Sequence, residues 1–309
     1  IRDLVRSRGL GDVYKRQTIE LTEIESTHRM DWMSINKQAF IPGTSQPPIY
    51  PLGRYLPVIP NGMITRMLDK KTKRGGVLVD PFGTSPAAII EAARAGYRII
   101  VACNNPIISH MLRVKAKAYS NERFLRILST LSATRKGDER LERHLEDLYQ
   151  VQCPECSASN QARMFIWAKG ASTPTAAVLE CPACKRKSEL PAGPESQQKL
   201  FALLKGSMYR ARALERIAAV NDPIRPRVEQ ALESYQARPL YVLITILNRL
   251  ESLQLDVDDE SILQALLISA FDAGNTLWPH PSSNLRPKQL VLPPNIRENN
   301  LWLVLNEAI

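Results

Sequence analysis

The chain has 309 residues, 44% of them apolar, and a formal charge of +10. That is length for roughly two domains and enough apolar residue to exclude wholesale disorder. No apolar run approaches the ~20 residues that span a bilayer and no charged-then-apolar leader opens the sequence, so a soluble cytoplasmic protein with no membrane partner is expected.

Residues 1–17 stand apart from the rest. Ser7 to Gln17 resembles a translated transposase sequencing adapter, Ile1 to Asp3 the end of a library primer, and Leu4 to Arg6 a sample index. The segment is therefore set aside from fold reasoning; the alternative is a basic arm for nucleic acid. It carries five Lys/Arg and two Asp, which leaves the remaining chain at +7. A basic balance of that size points to a polyanionic partner, and DNA is expected.

Residues 40–60 are rich in Pro, Gly and Tyr and are expected to be extended or turning. Asn61 can cap a short helix over 62–70, with Ile64, Met67 and Leu68 on one face. Gly75-Gly76 breaks the chain, and Val77-Leu78-Val79 has the pattern of a buried parallel strand. Pro86 to Ala95 is expected to be helical and to end at Gly96, with a second buried strand from Arg98 to Ala102. Such a strand–helix–strand unit begins a doubly wound sheet, which places ligands outside the carboxyl ends of its strands. Cys103 is expected as a small buried hydrophobe at the strand end. Residues 105–150 are mostly helical, with Leu125, Leu128, Leu131, Leu141, Leu145 and Leu148 inside.

Four of the five cysteines form two Cys-Pro-x-Cys pairs: Cys153 with Cys156, and Cys181 with Cys184. Without a secretory signal this favours metal over disulfides. Two paired knuckles let four thiolates converge on one tetrahedral ion, and a sulfur-only set suits Zn²⁺. A full set of four leaves no open position, so a structural zinc is expected and a catalytic one is not. A redox thiol pair is the rival, but it has no need of a second pair. Arg163–Ala168 and Ala176–Glu180 are expected as strands joined by the turn Lys169–Pro174. The forty residues are similar to a zinc ribbon. Lys185-Arg186-Lys187 makes the second knuckle basic, which suits either a solvated surface or contact with phosphates.

Pro191–Pro194 is a linker, and helices follow over about 195–219, 224–236, 239–254 and 259–277. A Pro-rich extended stretch runs from Trp278 to Pro294. Arg286 to Trp302 is expected to pack extended against the sheet, with Trp302 opening a core helix; lining a nucleic-acid path is the alternative. His110, His144 and His280 have no metal-like spacing and are expected at the surface.

Asp80-Pro81-Phe82-Gly83-Thr84-Ser85 lies between the first strand and its helix. A backbone free of large side chains there can approach a ligand, and the helix N-terminus favours an anionic group. The ligand-neutral alternative is a tight turn capped by Ser85. The segment resembles the Asp-Pro-Phe-x-Gly-Ser-Gly-Thr motif of amino-methylating DNA methyltransferases. The helix Ile89–Gly96, the pair Asn104-Asn105 before Pro106, and the Tyr50–Gly62 segment are similar to that family too. The resemblance implies S-adenosylmethionine as cofactor, held by Asp80, Pro81, Phe82, Gly83, Thr84, Ser85, Asn104 and Asn105. It implies methyl transfer to an exocyclic amino group of adenine or cytosine in DNA.

Two departures qualify it. The turn lacks the second glycine, and Asn104 stands where the family has a carboxylate for the ribose hydroxyls, so one or two hydrogen bonds replace a stronger pair. The family's catalytic segment, a polar residue, two prolines and an aromatic, is not found. Gln46-Pro47-Pro48-Ile49 and Leu292-Pro293-Pro294-Asn295 lack the pattern, and the segment is expected beyond Ile309. No catalytic residue is assigned.

The expected fold is α/β: a partial Rossmann-like methyltransferase sheet over 18–150, an inserted zinc ribbon over 151–190, and a helical region over 195–309 expected to be truncated. The alternatives are a non-enzymatic zinc-ribbon protein that binds nucleic acid, and an RNA methyltransferase.

Overall fold

The computed structural model describes residues 43, 44, 56, 59–69, 73–205, 208–281 and 291–308. The expectations for residues 1–17, for Gln46–Ile49, for most of Tyr50–Pro57 and for Arg286–Leu290 lie outside them.

Helix α1 (Met63–Asp69) leads to strand β1 (Val77–Asp80), helix α2 (Pro86–Arg94) and strand β2 (Arg98–Val101). The strands pair in parallel, Val77 opposite Arg98 through Asp80 opposite Val101. Proline at the first turn and Ser85 at the N-cap start α2 where the sequence places it. One face of this sheet packs Leu78 and Ile99 against Leu68, Ala92 and Tyr97. The other face is bare, which corrects the expectation of buried strands: Val77, Val79 and Ile100 are 49%, 68% and 61% exposed. An apolar run therefore marks strand character here without full burial. Met67 is also exposed, whereas Leu68 carries the helix contact.

Helices α3 (Pro106–Lys117), α4 (Asn121–Ala133) and α5 (Leu141–Asp147) follow. A short hairpin, β3 (Arg135–Lys136) and β4 (Glu139–Arg140), separates the last two. Leu128, Leu131, Leu141, Leu145 and Leu148 are buried as expected, but Leu125 is exposed. The buried stripe of α4 runs through Ile127, Leu128 and Leu131, with Phe124 partly buried against it, and Leu125 falls off that spacing.

The cysteine module is a sheet of β5 (Gln150–Gln152), β6 (Ser159–Ala168), β7 (Ala176–Glu180) and β8 (Lys187–Pro191), antiparallel throughout. A fifth strand, β9 (Asn295–Asn299), arrives from far along the chain and pairs with Met164–Ala168 of β6. Residues 164–166 of β6 also pair with β7, so β7 and β9 flank it on opposite sides. The expectation that this tail packs extended is met at 295–299, and the sheet it joins is that of the cysteine module. Asn300 then caps helix α11 (Leu301–Glu307) through Trp302 N and Leu303 N, so a core helix opens at Trp302 as expected.

Between β8 and β9 lie α6 (Pro194–Lys205), α7 (Met208–Ile217), α8 (Arg225–Leu232), α9 (Ala237–Ser252) and α10 (Val257–Gly274). One apolar core joins Ile127 of α4 to Leu305 of α11 by way of Phe165, Leu179, Leu243, Leu266 and Trp302. The sheet with the cysteines is therefore the centre of that core, and the boundaries expected at 150 and 195 both cross it. A buried ion pair fastens the centre. Arg238 of α9 meets Glu298 of β9, both side chains fully buried. Trp167 Nε1 donates to the same carboxylate at 2.7 Å, and the guanidinium lies 4.2 Å from the Phe165 ring centroid. Nothing in the sequence pattern marked this pair, because the two residues are sixty positions apart.

Candidate metal centre and cofactor turn

Each cysteine pair sits in a tight hairpin turn, and the two turns are built alike. In the first, Ser157 N donates to Cys153 O and Cys153 N to Ala158 O, both at 2.9 Å. In the second, Lys185 N donates to Cys181 O and Cys181 N to Arg186 O, again at 2.9 Å. Ser157 and Lys185 take the left-handed backbone that closes each knuckle, φ +56° and +61°. The two turns face one another, and the four sulfurs all lie within 4.8 Å of each other. Cys153 Sγ is 3.8 Å from Cys184 Sγ, and Cys156 Sγ is 3.6 Å from Cys181 Sγ. A disulfide needs about 2.05 Å. Sulfurs about 2.3 Å from one tetrahedral zinc would stand about 3.8 Å apart. The spacing fits the ion and not the bond.

Burial and hydrogen bonding complete the fit. Cys153 and Cys181 are buried, Cys184 half-buried and Cys156 exposed. The backbone N–H groups of Cys184 and Ala183 hold the Cys181 thiol down to about 6 against its burial, with the neighbouring sulfurs acting in the same sense. For Cys156 the Ala158 backbone pulls down, but Cys181, burial and the remaining sulfurs outweigh it and push the thiol up to about 11. Four sulfurs at this distance cannot all ionise without a cation among them, and a divalent ion removes that conflict. Asn160 Nδ2 lies 3.5 Å from Cys181 Sγ and steadies the sulfur from outside; spacing alone gave no sign of it. Arg186 bonds Glu155 across the two knuckles at 2.9 Å, so the basic run of the second knuckle is partly neutralised.

The turn after β1 is organised by its own side chains. Asp80 Oδ1 accepts from Phe82 N at 3.0 Å and Gly83 N at 2.9 Å. Gly83 has φ +55°, and an added Cβ would stand 2.9 Å from Ala102 O, Cys103 Cβ and Val101 Cγ1. The glycine is thus required by the close approach of the turn to β2. Ser85 is buried and caps α2. Asn105 caps α3 through Ile107 N and Ile108 N. Four of the expected cofactor residues therefore have work within the fold. Pro81, Phe82, Thr84 and Asn104 are exposed beside the carboxyl ends of both strands. Cys103 is half-buried, its sulfur 3.4 Å from Asn105 O and 3.6 Å from Gly83 O, which ties the two loops together and corrects its expected full burial.

The histidines are also more engaged than expected. His144 bonds Glu139 at 2.8 Å and the Tyr241 hydroxyl at 2.6 Å, His110 meets Ser261 O at 3.1 Å and His280 meets Glu189 at 3.2 Å. They are fold contacts, away from the cysteines. Among the described residues no helix is long and apolar enough to cross a membrane. No family model, curated protein or solved structure matches the chain.

Proposed function

We propose that the chain is part of an S-adenosylmethionine-dependent methyltransferase that modifies an exocyclic amino group of adenine or cytosine in DNA, and that its four cysteines hold one structural zinc. The observation that carries the reading is the parallel strand–turn–helix–strand unit over 77–101. Thr84 in its turn and Asn104 in the loop after β2 are exposed at the carboxyl ends of the two strands, where open parallel sheets bind ligands. In this reading α2 offers its N-terminus to the carboxylate of the cofactor, and Thr84 and Asn104 hydrogen-bond it. Asp80, Gly83, Ser85 and Asn105 keep the two loops in place. The cofactor would supply the methyl group, and the target base would leave its stack to reach it. No catalytic side chain is assigned within residues 1–309, where the Pro-Pro-aromatic segment is absent.

Calorimetric titration with S-adenosylmethionine tests this directly. Measurable heat is expected, with Asn104→Ala and Thr84→Val each weakening affinity about three- to tenfold, the worth of one hydrogen bond. Absence of binding by the folded, zinc-loaded chain ends the methyltransferase reading.

A second reading, a nucleic-acid-binding protein without enzymatic activity, is favoured by one observation. The large core surrounds the cysteine module, while the two-stranded sheet leaves an apolar face bare.

A further inference from the structure

Tyr209 of α7 meets Tyr241 of α9 edge to face, ring centroids 4.6 Å apart. Two turns further along, Arg216 of α7 reaches Asn248 at 3.1 Å and also Glu251, both on α9. Both contacts advance in the same direction along the two helices, so these lie side by side and parallel. Residues 209, 212 and 216 fall on one stripe of α7, and 241, 245 and 249 on one stripe of α9. Arg212 is therefore set between the two contacts, and Arg249 lies two turns beyond Tyr241. From a third element, the β3–β4 hairpin, Lys136 Nζ lies 5.9 Å from the Tyr241 ring centroid.

Lys136 stands over Tyr241, and helical spacing sets Arg212 and Arg249 further along the same two helices, so three elements line one flank with cations. Lys136 is half-buried, and its ammonium is pushed below the usual lysine range by that burial and then by Arg249 and Arg212. The carboxylates nearby are already engaged: Glu139 with His144, and Glu251 with Arg216. Among the described residues no carboxylate pairs with Lys136, Arg212 or Arg249. Like charges held together in this way repel unless an anion sits among them. Long cationic side chains presented on rigid helices and a hairpin suit a phosphodiester crossing a surface, where such contacts fix position and do not read sequence.

We propose that Lys136, Arg212 and Arg249 form a phosphate site for a nucleic-acid backbone, on the flank built from β3, α7 and α9. The proposal rests on the nucleic-acid partner of the proposed function and adds where that partner is held. The site shares no residue with the turn at Asp80 or with the cysteines.

Fluorescence polarisation with a labelled DNA duplex, over a range of salt and with several unrelated sequences, tests it on the zinc-loaded chain. The triple variant Lys136→Ala, Arg212→Ala and Arg249→Ala is expected to bind about tenfold more weakly at moderate salt, equally for every sequence. Its slope of log affinity against log salt should fall by about one for each phosphate that is no longer neutralised. The charge-preserving set Lys136→Arg, Arg212→Lys and Arg249→Lys should retain most of the affinity. Removing three exposed cations elsewhere, Lys73→Ala, Arg98→Ala and Arg227→Ala, should leave the slope closer to wild type. The proposal is overturned if the first triple variant matches wild type in affinity and slope while wild type binds. It is also overturned if wild type ignores DNA and RNA but binds vesicles of anionic lipid. S-adenosylmethionine binding is measured separately on the same variants. Heat that survives in the triple variant keeps the methyltransferase reading whatever the polarisation shows, and its absence from wild type removes that reading without touching the phosphate site.

Discussion

Lys185 and Ser157 hold the same place in the two cysteine turns, four residues after the first cysteine of each pair, and both adopt a left-handed backbone. The conformation is imposed by the N–H of each residue turning back to its cysteine carbonyl. For an L-residue it costs about 1–2 kcal/mol, of which glycine would recover a part, because its own unfolded chain is freer. Lys185→Gly is therefore expected to raise stability by about 0.5–1 kcal/mol, and Lys185→Val to lower it. Urea denaturation of the zinc-loaded protein measures both, and equal midpoints for the two variants would show that the backbone carries no such strain. The spacing of the cysteines was legible in the sequence, since four sulfurs in two pairs leave few other arrangements. The left-handed residues were not legible, because lysine and serine carry no glycine-like mark.

At the scale of elements, the N-terminus of α10 gathers charge from two other helices. Asp256 caps it, and Asp258, Asp259 and Glu260 occupy its first turn, where the helix dipole favours negative charge. Lys117 at the end of α3 bonds Asp258, and Arg123 of α4 bonds Asp256 at 3.1 Å and Asp259. Lys117, ahead of Tyr119, holds the Asp258 carboxyl below its ordinary value of 3.8. A lowered carboxyl stabilises the folded state fully above the ordinary carboxylate range, and loses that effect as pH falls through its depressed value. Asp258→Asn is thus expected to lower the melting temperature at neutral pH, with the gap to wild type closing in acid and narrowing in high salt. A gap independent of pH would refute the linkage. The caps at Ser85, Asn105 and Asp256 follow local sequence chemistry, and the helices they start were visible from it. The β3–β4 hairpin, β5 and β8 were missed because each is two to five residues long and gains its stability from partners. The helix expected over 195–219 is described as α6 and α7, on either side of residues 206 and 207, which lie outside the described residues.

For the whole molecule, the decisive fact is that the cysteine module is not a separable insert. Trp167 of β6 and Trp302 of α11 are 3% and 1% exposed in one core, which runs from α4 to α11. β9 enters the sheet beside β6, and Glu298 on that strand closes the buried pair with Arg238. Pairing of β9 with β6 thus depends on a sheet whose two hairpins are held together at the cysteines. A structural zinc binds with about 10–16 kcal/mol, as much as the ~5–15 kcal/mol that holds a whole domain. Removing the ion should therefore release the ribbon hairpins, β9 and α11 together, and leave the smaller cluster around Leu68, Ala92 and Tyr97 outside the transition. Chelation under reducing conditions is expected to shift tryptophan emission to the red and to abolish the main thermal transition, and one equivalent of Zn²⁺ should restore both. Metal analysis should find about one ion per chain. If the chelated protein keeps its emission and melting profile, the cysteines do not hold the core, and neither does a zinc bound by them.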